Sequence, residues 1–166
     1  MKRIPIFLLF LIISCTPGRD EVIQDIDQRL QFYIQDQNGQ DLLIPGDSLG
    51  YAGSINLFDL NADRVNVPIS GITYKLDSTS MHHYMEYIGG ATRILADSID
   101  EGKKIYFSDY LMTMKKNMQA AVADSDTVHI VYQWTPALFQ VSQVEVNKKT
   151  VFTKNSDSQN KIILVK

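Results

Sequence analysis

The chain has 166 residues and a mass of 18.8 kDa, room for one ordinary domain. Apolar residues make up 45% and charged residues 21%, which suits a buried core rather than disorder. A net charge of -3 argues against a protein that holds nucleic acid by neutralising phosphates, and one cysteine excludes a disulfide framework or a multi-cysteine metal site.

Residues 1–15 read MKRIPIFLLFLIISC. Lys2 and Arg3 form a positive start, and Ile4 to Ile13 form an apolar run. That run is short of the roughly 20 residues that span a bilayer and has the length of a signal-peptide core. Ile12-Ile13-Ser14-Cys15 follows. This resembles the bacterial lipoprotein box, with Ile12 where that family usually carries Leu. The resemblance implies a signal peptide over 1–14, cleavage after Ser14, and lipid on the Cys15 sulfur. Several acyl chains at about 0.8 kcal/mol per buried methylene make a stable anchor. By resemblance to the usual sorting rule, Thr16 rather than Asp after the cysteine permits outer-membrane delivery. Residues 15–21 then read as a lipidated tether and 22–166 as a single β-domain. Losing Lys2 and Arg3 with the leader leaves 14 basic and 19 acidic residues, a net charge of about -5.

Val22 to Arg29 reads as a short helix or an extended lead-in. Leu30, Phe32 and Ile34 then alternate with polar or amphipathic neighbours, the period of a half-buried strand. Asn38-Gly39 predicts a hairpin turn, with Asp41 to Ile44 pairing back. Ile55 to Phe58 predicts a strand, and Val65, Val67 and Ile69 another, at an edge because of Pro68. Ile72, Tyr74 and Leu76 alternate next. Met81 to Ile88 and Ala91 to Leu95 flank Gly89-Gly90, which predicts a second hairpin. Lys104 to Phe107 is strand-like. Leu111 to Ala123 holds Leu111, Met114, Met118 and Ala121 or Val122 near helical spacing and predicts one short helical insert. Val128, Ile130, Tyr132 and Trp134 alternate and should share the core face. The apolar phase slips between Val141 and Val144, as a bulge near Ser142-Gln143 would cause. Lys149 to Lys154 and Lys161 to Lys166 read as a final strand pair. Short strands with turns every 8–12 residues predict an all-β fold, an antiparallel immunoglobulin-like β-sandwich, with a small up-and-down β-barrel as the alternative.

Candidate chemistry is sparse. His82 and His83 adjoin in a strand and point to opposite faces, so they do not serve one metal. His82, Tyr84 and Glu86 share a face, where a His–Glu pair suits acid–base work, against a polar solvent face as the plainer reading. His129 reads as solvated. Asp59-Leu60-Asn61-Ala62-Asp63 begins like a calcium loop, but Arg64 and Ser70 stand where such a loop needs its glycine and its bidentate acid. An Asx-rich turn fits it better, as it does Asp97, Asp100 and Glu101. No nucleophile, phosphate-loop or dinucleotide motif occurs, so no catalytic, cofactor or metal residue is assigned. Tyr33, Tyr84 and Tyr110 are the aromatics expected to be exposed, and Tyr132 and Trp134 the ones expected in the core.

The lipobox cysteine, the polar tether, and a strand leading into D-x-x-G-x-D-L-L (Asp36, Gly39, Asp41, Leu42, Leu43) resemble small lipoproteins of the Bacteroides type. The resemblance implies an all-β body and no known chemistry. The expected function is a non-enzymatic interaction or adhesion module of the cell envelope, held to the membrane by the lipid on Cys15. Its expected partner is a protein or a glycan, with no nucleic acid and no cofactor. The alternatives are a glycan- or small-ligand-binding lipoprotein, favoured by exposed Tyr or Trp, and a hydrolase with an acidic pair.

Overall fold

A computed structural model describes residues 23–47, 50–116, 120–155 and 158–166. The signal peptide, Cys15 and the tether expected at 1–21 lie outside the described residues. The described residues form twelve strands and no helix. They are β1 (Asp25–Asp27), β2 (Leu30–Gln35), β3 (Asn56–Asp59), β4 (Val67–Ile69), β5 (Thr73–Asp77) and β6 (His82–Tyr87). The second half supplies β7 (Ile94–Asp100), β8 (Lys103–Met114), β9 (Asp124–Trp134), β10 (Leu138–Val146), β11 (Lys149–Thr153) and β12 (Lys161–Val165).

Two mixed sheets result. The larger is built on the antiparallel meander β8–β9–β10. One edge of β10 is shared by β1, parallel to it, and β11, antiparallel. The far edge of β8 is shared by β7 and by β3, which leads to β4. The smaller sheet runs β12–β2–β6–β5, with β12 parallel to β2. The two inner faces meet in one core. Leu30, Phe32, Ile34, Met85 and Ile162 come from the smaller sheet, and Leu57, Tyr110, Met112, Val128, Ile130, Tyr132 and Val141 from the larger. The Tyr87 and Tyr110 rings, one from each sheet, lie 5.0 Å apart.

Several expectations hold. β2 buries Leu30, Phe32 and Ile34 completely. Asn38 and Gly39 turn the chain: Gly39 takes a φ of 81°, and Asp36 Oδ1 accepts the N–H groups of Asn38 and Gln40, each at 2.8 Å. β4, with Pro68, lies at the sheet edge. The register of β10 on β9 shifts between Val141 and Gln143, the bulge the phase slip predicts.

Others are corrected. The helical insert does not form: Leu111 to Met114 complete β8, and Ala120 to Ala123 are not helical, while 117–119 lie outside the described residues. Met112 and Met114 fall two apart on one inner face, so long-range pairing of β8 with β9 overrides a local helical spacing. The sheets are mixed rather than purely antiparallel, and they remain two separate sheets rather than a closed barrel. Asp41 to Ile44 return along β2 by one bridge, Gln35 to Asp41, since β12 takes the edge of β2. Gly89-Gly90 makes no hairpin; the chain there crosses from β6 in one sheet to β7 in the other. β11 and β12 likewise belong to different sheets.

Candidate functional site

The strands of the larger sheet set the site by their length. β8 has 12 residues and β9 has 11, against 6 each for β2 and β6. The inner face of the larger sheet therefore runs past its cover. Paired residues share a face. Tyr106 pairs with Tyr132, and Lys104 with Trp134, which pairs in turn with Phe139; Phe139 pairs with Ile26. Moving outward along this face, burial falls from Ile130 and Tyr132 in the core to a half-buried Trp134 and an exposed Ile26.

This uncovered end is a cleft of about 310 Å³ lined by Gln24, Ile26, Gln28, Arg93, Tyr106, Trp134 and Phe139. Its floor is aromatic. Tyr132 and Phe139 stack with centroids 5.4 Å apart, and Tyr106 meets Phe139 edge-on at 6.4 Å. The Arg93 guanidinium carbon lies 5.1 Å from the Tyr132 ring centre and 5.0 Å from that of Phe139. Arg93 also donates to Gln28 Oε1. A Cβ on Gly89, where φ is 83°, would stand 2.8 Å from the Arg93 Nη2, so a glycine there leaves the guanidinium its seat. Lys104 Nζ lies 5.0 Å from the Trp134 ring centre. Gln24 Nε2 donates to the Thr135 carbonyl at 2.6 Å and holds the start of β1 against the cleft. An apolar pocket with a few convergent polar groups is the usual form of a small-ligand site.

A second groove, of about 500 Å³, is lined by Leu60, Asn61, Asp109, Thr127, Val128, His129, Glu145 and Lys148. His129 Nδ1 lies 2.7 Å from Asp109 Oδ1, so this histidine is carboxylate-paired rather than simply solvated. Asn61 Nδ2 donates to Asp109 Oδ2 at 3.3 Å. The dyad orients an imidazole, and the Thr127 hydroxyl in the same groove donates to Asn147 Oδ1 at 3.3 Å. This groove is the larger, yet the aromatic cleft is better built for a ligand, because its lining is mainly apolar with few polar groups.

The other sequence candidates separate. His82 Nδ1 accepts from Gln35 Nε2 at 3.1 Å, whereas Asp41 Oδ2 accepts the backbone N–H of His83 at 2.7 Å and lies 2.8 Å from its Nδ1. Glu86 is buried and pairs with Lys75 at 2.7 Å and Arg29 at 3.6 Å, so it forms no pair with His82. Asp59 Oδ1 accepts the Asn61 N–H at 2.8 Å, and its Oδ2 accepts both the N–H and the hydroxyl of Thr92 at 2.7 Å. Burial opposes ionisation of Asp59, but the donors of Thr92 and the amides of Asn61 and Ala62 outweigh it and lower the carboxyl pKa. Asp100 Oδ1 accepts the Gly102 N–H at 2.7 Å in the turn after β7. Among the described residues no three His, Cys, Asp or Glu side chains converge as a metal would require.

The tyrosines are redistributed. Tyr110 is wholly buried, and Tyr33 is 5% exposed under Tyr84 and Lys161, so neither is a surface platform. Trp134, expected in the core, packs against its margin and is partly buried, as are Tyr84 and Tyr106. Arg93, Tyr106 and Phe139 were not distinguished by sequence pattern. The available signal was strand length, since alternation in β8 and β9 continues beyond what a six-residue strand can cover. No family model matches the chain, and neither the curated proteins nor the solved structures yield a match.

Proposed function

We propose that this protein is a lipid-anchored, non-enzymatic binding module of the bacterial cell envelope, and that the cleft at Trp134 takes up a glycan or other small ring-bearing ligand. The observation that carries the reading is the partly buried Trp134 ring, which lines the cleft beside Tyr106 and Phe139. Flat aromatic faces pack against the C–H faces of sugar rings. The immunoglobulin-like form of the fold belongs to the same proposal, supported by two sheets closed over one core. The lipid on Cys15 supplies the membrane attachment. Gln24 follows Cys15 by nine residues, a reach of at most about 32 Å, so the cleft opens close to the anchor.

Two measurements test this. Cys15→Ser removes labelling by radioactive palmitate; equal labelling of both chains refutes the anchor. A glycan panel binds the full chain and loses binding on Trp134→Leu, with unfolding behaviour little changed; a panel with no binder refutes the cleft reading.

A second reading rests on β7, whose seven residues are all exposed and which, among the described residues, pairs with β8 alone. Such an edge suits a protein partner that adds a strand. Replacing Ser98 with Pro blocks that mode; because Ser98 pairs with Lys104 at the cleft rim, saccharide binding is measured on the same variant.

A further inference from the structure

We infer that the ligand of the Trp134 cleft is an acidic saccharide of the uronic-acid class, its ring on Trp134 and its carboxylate on Arg93; this rests on the binding-module reading above. Charge supports it first. The whole chain is acidic, with 19 acidic against 16 basic residues, yet among the described residues the cleft lining includes one cation, Arg93, and no acid. Lys104, over the Trp134 ring, adds a second positive charge at the rim. The nearby carboxylate of Asp27 is taken up by Lys154 at 2.6 Å.

Donor geometry supports it second. A guanidinium carries five N–H donors in one plane, and stacking engages only its faces. Arg93 is stacked over Tyr132 and Phe139, and it donates to Gln28 Oε1 and to the Tyr132 hydroxyl. The rest of the planar fork remains for an acceptor, and the planar bidentate partner it matches is a carboxylate.

The amides support it third. Gln24 uses its Nε2 on the Thr135 carbonyl, and Gln28 uses its Oε1 on Arg93. Among the described residues the Gln24 Oε1 acceptor and the Gln28 Nε2 donor have no partner. A ring bearing hydroxyls needs both kinds of group, whereas a simple aromatic acid needs neither. The volume, about 310 Å³, stands at the lower end of small-molecule sites, roughly 300–1,000 Å³, and so suits a terminal sugar residue better than a long chain.

Trp134 is the chain's single tryptophan, so its fluorescence reports the cleft directly. The full chain in detergent is titrated with trigalacturonic acid, with its methyl ester, and with a neutral galactose trimer. The acid should bind at least about tenfold tighter than either uncharged form, and added salt should weaken it. Arg93→Gln should bring the acid down to the level of the neutral trimer, and Lys104→Gln should weaken it less. Arg93→Lys keeps the charge without the fork and should retain part of the preference. If Arg93→Gln fails to fold, the ester comparison and the salt dependence on the unaltered chain decide. Equal, salt-independent binding of acid and neutral sugars overturns the acidic class and leaves the cleft reading standing. Absence of a response to any saccharide overturns both.

Discussion

Lys154 Nζ donates to Asp27 Oδ2 at 2.6 Å and so joins residues 127 positions apart. Its other two protons go to the Ser158 carbonyl at 2.6 Å and Asn160 Oδ1 at 3.0 Å. Asn160 Nδ2 closes the knot on Asp27 Oδ1 at 2.8 Å and the Arg29 carbonyl at 3.0 Å. The ammonium thus ties β1 and the end of β11, both on the larger sheet, to the start of β12 on the smaller one. It also fixes β1, whose neighbours line the aromatic cleft.

Lys154→Met keeps the aliphatic stem and removes all three donors. Hydrogen bonds to charged groups contribute about 1.5–3 kcal/mol, and Lys154 is only 10% exposed, so the variant should lose about 2–3 kcal/mol in urea melts of the full chain. Asp27→Asn should lose less than about 1 kcal/mol, because the Asp27 side chain is 42% exposed and already partly hydrated. Equal losses for the two would contradict the central place of the ammonium.

Tyr110 gives the opposite expectation. Its ring is wholly buried, and its hydroxyl has no hydrogen-bond partner. Burial pushes its pKa well above the ordinary value, with the Tyr87 and Tyr132 hydroxyls adding to the rise. A buried hydroxyl without a partner costs about 1–3 kcal/mol. Tyr110→Phe removes the group and keeps the ring against Tyr87, so it should be neutral or stabilising by about 1 kcal/mol. A clear drop in the denaturation midpoint would show that the hydroxyl has a partner in solution.

The parts of the fold legible in the sequence were those fixed locally. Alternation in Leu30, Phe32 and Ile34 is a property of one strand, and the bulge at Ser142-Gln143 is written in the apolar phase of one strand. Asp41 is a similar case: its Oδ1 accepts the Leu43 N–H at 2.8 Å, so the D-x-x-G-x-D-L-L stretch folds as a turn that returns Leu43 to the core. Pairing between distant strands was not legible. Gly89-Gly90 carries the signal of a hairpin, but nothing local says that the strands on either side enter different sheets. The turn from β10 to β11 hides for another reason. Asn147 and Lys148 take φ values of 52° and 65°, and Lys148 stands where glycine is the usual signal.

The cleft shows the same division. The periodicity placed Trp134 on the face of Val128, Ile130 and Tyr132, and that placement is correct. Its exposure depends on where the smaller sheet ends, which is a relation between β2, β6 and β9 rather than a property of β9.

That relation separates two aromatic neighbours in stability. Tyr132 is 1% exposed, stacked on Phe139 and covered by Arg93. Tyr132→Ala should cost about 3–5 kcal/mol, the range for emptying a large aromatic site. Trp134 is half-buried on the cleft, with part of its surface already in water, so Trp134→Ala should cost about half as much. The larger loss, expected for Trp134 when all four alternating residues are taken as core, belongs to Tyr132. Urea melts followed by far-ultraviolet circular dichroism read both. Equal costs would mean that the cleft end is closed in solution.

The smaller sheet carries a charge that acid should expose. Asp77, at the end of β5, accepts the Thr79 N–H at 3.0 Å, Lys161 Nζ at 3.1 Å, and the hydroxyls of Tyr33 and Ser80, each at 3.0 Å. The Thr79 amide, then Lys161, Tyr33 and Ser80, hold its carboxyl far below the usual carboxylate range. Lys161 comes from β12 and Asp77 from β5, the two edges of this sheet, so the ionised form ties them across Tyr33. Because the folded pKa is depressed, the stabilisation is fully present above the unfolded value near 3.9. It is lost as pH falls from there toward the folded value. Asp77→Asn should therefore be less stable than the parent by a constant margin between about pH 5 and pH 8, and that margin should shrink steadily from about pH 4 to pH 2. Urea midpoints of both proteins across that range measure it. A margin that stays the same at pH 2 as at pH 7 would mean that Asp77 titrates normally and that its four donors do not hold its charge.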